Sequence, residues 1–217
     1  MKIYRLPEKI RALAFDMDLT LYSNAEYALF QIDSLIMRMA ERQGLLFEEM
    51  KSKVEEERKM WALSHGGKKP SLTNVMARFG ISMEENIGWR ESSYDPKKYI
   101  KEDKRLRHTL ELLSREFVLG VVTNNPVLTA RKTFEALGVG KCFTILVGLD
   151  TCCVTKPDKI PFMKFSELSG CPPETCVSVG DRYDIDIDLP LEMGMGGILV
   201  DGVEDVYELP GILLNNC

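Results

Sequence analysis

Imidazole is scarce in this chain: His65 and His108 are the two available, and neither stands at zinc-ligand spacing from a cysteine, which argues against a structural zinc site. Cys142, Cys152, Cys153, Cys171, Cys176 and Cys217 contain no Cys-x-x-Cys pair, and 217 residues are enough to bury a core without covalent staples, so free thiols are expected. No apolar run is long enough to span a bilayer, and Met1–Arg5 shows none that would serve as a secretory signal. A cytoplasmic location without a membrane partner is the expectation. Basic runs are missing too. Lys68-Lys69 and Lys97-Lys98 are mere pairs, no aromatic-basic ladder accompanies them, and the net charge is -5, all of which speak against nucleic acid as a partner.

What remains is the composition of an ordinary globular protein, 45% hydrophobic and 28% charged, at a length that suits one large domain or a domain carrying an insertion. The most informative stretch is Phe15-Asp16-Met17-Asp18-Leu19-Thr20. Ala12–Phe15 precedes it as an apolar run without helical or alternating periodicity, which predicts a short strand buried on both faces. Asp16 and Asp18 then fall at its carboxyl end, where open parallel α/β sheets bind their ligands. Two carboxylates this close repel in a low-dielectric site and call for a cation. Asp16 is suited to be an oxygen ligand and a nucleophile, and Asp18 an acid and base; the competing reading is that Asp18 and Thr20 cap a turn or the next helix.

Beyond Thr20 the pattern turns helical. Leu29, Ile32, Ile36 and Met39 share a predicted helix face, a second and more charged helix runs from about Leu46 to Ser64, and Ser71 caps a short third one ending at Gly80. Glu55, Glu56 and Glu57 read as a solvated face, and the loop from His65 to Lys69 as solvated too. From Tyr22 to Ile100 no strand is evident, while strands flank this region on both sides, so a helical insertion is expected there.

The core pattern resumes with Leu106, Leu110 and Leu113 on one helix face and a buried strand from Phe117 to Val122. Thr123-Asn124-Asn125-Pro126 follows, then a helix carrying Val127, Ala130, Phe134 and Leu137. Pro126 at the first helical position makes Asn125 the expected cap, and places Thr123 and Asn124 where free N–H groups and the helix dipole favour an anion. After a short strand from Phe143 to Val147, Asp158 caps a helix from Ile160 to Leu168 and leaves Lys156 just ahead of its start, in place for a phosphate. Cys176–Val179 is the next buried strand. Four carboxylates, Asp181, Asp184, Asp186 and Asp188, crowd the eight residues after Gly180, more than Arg182 neutralises, and magnesium suits such oxygen ligands. Gly197–Val200 supplies a last strand.

The ordered set of Asp16 with Asp18, Thr123, Lys156 in its Lys-Pro-Asp context, and Asp181 after Val-Gly resembles the haloacid dehalogenase (HAD) superfamily, most of whose members are phosphatases. The resemblance covers residues 11–22 and 104–200, and an insertion directly after the first motif resembles the subgroup with a helical cap. It implies an α/β fold: a doubly wound parallel-sheet, Rossmann-type core in residues 1–21 and 101–217, and an all-helical cap in residues 22–100. It implies that Asp16 attacks phosphorus and that Asp18 protonates the leaving oxygen and then deprotonates water. Thr123, Lys156 and the Asn124 backbone N–H would hold the phosphoryl group. Asp16, the backbone carbonyl of Asp18, Asp181 and Asp186 would hold Mg2+, with Asp184 the alternative to Asp186. Lys159 departs from the proline of many relatives, which touches the helix start and not the chemistry; an aspartate at position 18 is characteristic of the phosphatase branch and counts against dehalogenase activity. The substrate implied is a small phosphorylated metabolite, with Thr20-Leu21-Tyr22 similar to relatives that include pyrimidine nucleotidases and the overall pattern similar to phosphoglycolate phosphatases. A phosphomutase and a non-catalytic binding protein are the rival readings, and a monomer is the default.

Overall fold

The computed structural model describes residues 1–67 and 70–214. Lys68, Lys69 and Cys217 lie outside the described residues. The chain divides into two compact units, one formed by Met1–Ala25 with Asp95–Cys217 and one by Glu26–Tyr94. Residues 22–25 and 95–100 thus fall in the larger unit, where the Asn24 amide donates to the Tyr99 carbonyl at 2.8 Å.

The larger unit begins with β1 (Lys2–Arg5) and β2 (Ala12–Phe15). All four β2 residues are buried, as an apolar run without periodicity requires of a central strand. The sequence reading assigned no strand to β1, because Lys2, Ile3 and Arg5 are all exposed and no buried face marks it.

The smaller unit is all-helical: α1 (Ala25–Gln43, its first residue in the larger unit), α2 (Phe47–Ser64), α3 (Leu72–Arg78) and α4 (Met83–Ser93). Its core joins Leu35, Ile36, Met39, Met50, Val54, Val75 and Met76. Ser71 caps α3 by accepting from the Asn74 N–H at 3.1 Å. The expected inward face of α1 needs correction. Leu29 and Ile32 are exposed, and the buried stripe is Tyr27, Gln31, Leu35, Ile36, Met39 and Ala40, a face rotated around the helix from Leu29. α4 went unread although Ser82 and Glu85 form a reciprocal capping box, Ser82 Oγ accepting from the Glu85 N–H at 3.1 Å and Glu85 Oε2 from the Ser82 N–H at 3.0 Å. Its polar helical faces hid it. Arg90, Asn86 and Thr73 form a buried hydrogen-bonded group where the pattern offers few apolar residues.

The chain then returns to the larger unit through α5 (Lys104–Leu113), β3 (Val118–Val122), α6 (Val127–Leu137), β4 (Ile145–Val147), a short α7 (Leu149–Cys152), α8 (Lys159–Ser169) and β5 (Cys176–Gly180). α9 (Asp188–Glu192), β6 (Gly196–Leu199), α10 (Val203–Val206) and α11 (Leu209–Leu213) complete it. The sheet order is β1-β6-β5-β2-β3-β4, with β2 to β6 parallel and β1 antiparallel on β6. This is the doubly wound α/β arrangement.

β2 lies between β3, reached next in the chain, and β5, reached only after β4; the order reverses at β2. The loops after β2, β3 and β5 meet at the carboxyl ends of the strands, the end where doubly wound sheets bind their ligands.

Candidate active site

Asp16 follows β2 directly, and its N–H still donates to the Val179 carbonyl at 2.8 Å, so the nucleophile candidate stands on the rigid end of the sheet. Met17 turns back into the core, fully buried, between the two part-exposed aspartates. The chain then tightens: the Leu21 N–H donates to the Met17 carbonyl at 3.0 Å, with Leu19 in the left-handed region at φ 57°. For a leucine that conformation is uncommon, and such residues concentrate at functional loops.

Lys156 is 2% exposed, and its Nζ lies 2.6 Å from Asp16 Oδ1 and 2.6 Å from Asp186 Oδ1. Burial alone would push this ammonium down. The Asp16 and Asp186 carboxylates outweigh it and hold the lysine above its usual pKa. Its backbone is fixed as well, in a way the sequence reading did not foresee. Asn124 Oδ1 accepts from the Lys156 N–H at 2.7 Å, and Asn124 Nδ2 donates to the Lys156 carbonyl at 3.2 Å, so the loop after β3 clamps the lysine loop.

Asp16, Asp181 and Asp186 each offer a carboxylate oxygen within 4.8 Å of the others. Burial, then the Asp16 and Asp186 charges, push Asp181 up to about 7. Burial also pushes Asp186 up to about 6, although Lys156 acts in the opposite direction. Three carboxylates facing one ammonium leave two negative charges, which one divalent cation would balance. The donor set is all oxygen, and so fits magnesium. Asp184 stands apart, partly exposed and 3.8 Å from the Arg182 guanidinium. Asp186, not Asp184, is the acid that turns inward. The Asp18 side chain is outside the three-carboxylate group.

The inward turn of Asp186 has a backbone reason. Ser178 Oγ donates to the Asp186 carbonyl at 2.6 Å, and the Arg182 N–H donates to Asp186 Oδ2 at 3.2 Å. Gly180 makes room: a Cβ there would come within 2.7 Å of Asp186 Oδ2 and 2.6 Å of its Cγ. Gly180→Ala is therefore expected to push Asp186 off Lys156, lowering magnesium affinity by about 10-fold or more and stability by about 1–3 kcal/mol. Calorimetric titration with magnesium and urea denaturation read the two effects; unchanged values in both would show that the loop yields freely.

Thr123 directly follows β3, 4% exposed, and its Oγ1 accepts from the Asn125 N–H at 3.1 Å. The cap reading of Asn125 is a correction. Pro126 occupies the cap position of α6, the Val127 N–H donates to Asp150 Oδ1 at 2.9 Å, and the Asn125 side chain instead donates to Asp18 Oδ2 at 2.7 Å. Asp150 does what Asn125 was expected to do. Asp158 does cap α8, accepting from the Ile160 N–H at 2.8 Å. In the other unit, the His65 ring stacks on Trp61 with centroids 3.9 Å apart.

The reversal of strand order at β2, a buried lysine and three converging aspartates mark one end of a doubly wound α/β sheet. Residues 10–194 match the family of haloacid dehalogenase-like hydrolases, and the chain belongs to that family. It is 36% identical over 95 residues to a phosphoglycolate phosphatase from Aquifex aeolicus, a match covering 43% of this chain and 44% of that protein. The chain thus matches less than half the length of that curated relative. Among solved structures, a HAD phosphatase from Thermococcus onnurineus superimposes with a TM-score of 0.62 at 20% identity, over 94% of this chain and 98% of that one. A predicted phosphoglycolate phosphatase from Haemophilus somnus 129pt gives a TM-score of 0.61 at 18% identity, over 94% and 97%. At these identities the likeness concerns the fold. No helix among the described residues is long and apolar enough to cross a membrane.

Proposed function

We propose that the protein is a magnesium-dependent phosphomonoesterase that acts in the cytoplasm on a small phosphorylated metabolite through an aspartyl-phosphate on Asp16. The observation that carries this reading is the Asp16–Lys156–Asp186 arrangement, with Lys156 Nζ 2.6 Å from both carboxylates. It puts a fixed cation against the candidate nucleophile, where a transferring phosphoryl group would develop charge.

In this reading an Asp16 oxygen bonds to phosphorus as the ester P–O bond breaks, and Asp18 gives its proton to the departing alkoxide. Asp18 then takes a proton from water as the water oxygen attacks phosphorus, and the acyl-phosphate bond breaks to return the Asp16 carboxylate and release inorganic phosphate. Lys156 and the Asn124 N–H steady the phosphoryl oxygens, and Thr123 lines the same loop. Asp16, Asp181, Asp186 and the Asp18 carbonyl would hold magnesium, which supplies charge neutralisation for the phosphoryl oxygens.

The partial match to phosphoglycolate phosphatases makes phosphoglycolate the first substrate to try. Purified protein with magnesium is expected to release phosphate from members of a panel of phosphoglycolate, nucleoside monophosphates and sugar phosphates, and to lose at least about 100-fold in rate with a chelator. Isomerised sugar phosphate without free phosphate would make it a mutase instead. No turnover of any ester with magnesium present would remove the reading.

A further inference from the structure

The Asp18 carboxylate is gripped from two sides. The Tyr22 hydroxyl donates to Oδ1, and Asn125 Nδ2 donates to Oδ2 at 2.7 Å. Both donors are themselves buried, Tyr22 at 4% and Asn125 at 2% exposure. They come from different loops: Tyr22 from the turn after β2, and Asn125 from the loop after β3.

Each donor is held by its own backbone. The turn closed by the Leu21 N–H on the Met17 carbonyl brings the chain round so that Tyr22, four residues on, reaches back to Asp18. The Asn125 N–H donates to Thr123 Oγ1 at 3.1 Å, and its carbonyl accepts from the Leu149 N–H at 2.9 Å. Asp150, and not Asn125, serves the start of α6.

A general acid works only while it is aimed at the leaving oxygen, and misplacement of about 1 Å can cost about 100-fold in rate. One donor on each oxygen limits rotation of the carboxylate about both of its side-chain bonds. We propose that Tyr22 and Asn125 are positioning residues that aim Asp18 at the leaving oxygen. The proposal rests on the phosphatase reading above.

The test compares two esters. An alkyl phosphate such as phosphoglycolate needs its leaving oxygen protonated, whereas p-nitrophenyl phosphate expels a stable phenolate. Because kcat/KM reports only steps up to the first irreversible one, later hydrolysis of the acyl-phosphate does not enter it. In Tyr22→Phe and in Asn125→Ala, the fall in kcat/KM on the alkyl ester is expected to exceed the fall on the nitrophenyl ester by at least about 10-fold. Equal losses on the two esters, or no loss on either, would overturn the proposal. If Asn125→Ala does not fold, Tyr22→Phe, which keeps the ring, decides it.

A second readout separates this proposal from the reading beneath it. Wild-type protein inert on p-nitrophenyl phosphate and on every ester of the panel would remove the phosphatase, yet crystal structures of the variants would still report on Asp18. Its carboxylate is expected in more than one orientation once a donor is gone. A single orientation identical to the wild type would overturn the positioning role.

Discussion

Asp16→Asn should abolish turnover, by at least about 1,000-fold in kcat, while leaving the protein folded. The amide has almost the shape of the carboxylate, so it fits the end of β2, and its oxygen can still accept from Lys156. It lacks the charge and nucleophilicity needed to bond to phosphorus. A loss of this size is about 4 kcal/mol of transition-state stabilisation. Acid-quenched wild-type protein incubated with substrate should carry one added phosphoryl group by mass spectrometry, and the variant none. Circular dichroism and thermal melting should show the variant folded. Turnover within 10-fold of the wild type would eliminate Asp16 as the nucleophile.

Lys156→Ala should damage stability as well as rate. The ammonium touches Asp16 and Asp186 at 2.6 Å and is 2% exposed, so its removal leaves the part-exposed Asp16 and buried Asp186 carboxylates close together without a counter-charge. Breaking a buried ion pair in this way costs about 3–5 kcal/mol. The sign of the pH dependence follows from the raised lysine pKa. A group whose pKa rises on folding contributes in full below its unfolded value, about 10.4, and loses that contribution only as pH climbs through the higher folded value. The lysine's own contribution should therefore hold up to about pH 9.5. Because its loss leaves Asp186 and Asp181 raised further, the stability gap between variant and wild type, measured by urea denaturation without divalent cation, should not narrow as pH rises from about 8 to 9.5. A gap below about 1 kcal/mol would assign the lysine to an exposed pair.

The central strands and the longer helices were legible in the sequence; β1, α4 and the short α10 and α11 were not, although the last two bury Val203, Val206, Leu209 and Leu213. β2, β3 and β5 are apolar runs with nearly every side chain in the core, and each was read close to its observed limits. β1 sits at the sheet edge with both charged residues outward, so no pattern announces it. α4 left a signal of another kind, the Ser82-x-x-Glu85 capping box, in a stretch where hydrophobic periodicity is weak.

The candidate site divides along the same line. Asp16, Asp18, Thr123, Lys156 and Asp181 each stand just past a strand or ahead of a helix, so a chain read in order marks them without coordinates. Asp186 was preferred to Asp184 through the family resemblance alone, because both lie in one acidic run and their directions depend on the turn. Packing separates them: Gly180 and Ser178 admit Asp186 to the interior, while Asp184 turns outward to Arg182.

By itself, the sequence determined which strands are buried and which residue types stand at their carboxyl ends, since burial and chain direction are written in local patterns. Tertiary structure alone decided which of those groups meet. The Asn125 amide donates to Asp18, and Asp150, distant in the chain, accepts from the Val127 N–H. The Asn124 side chain closed on the Lys156 backbone across a loop. Hydrogen bonds between residues far apart in the chain are settled by the meeting of loops at the sheet's point of reversal, and a one-dimensional pattern carries no record of that meeting.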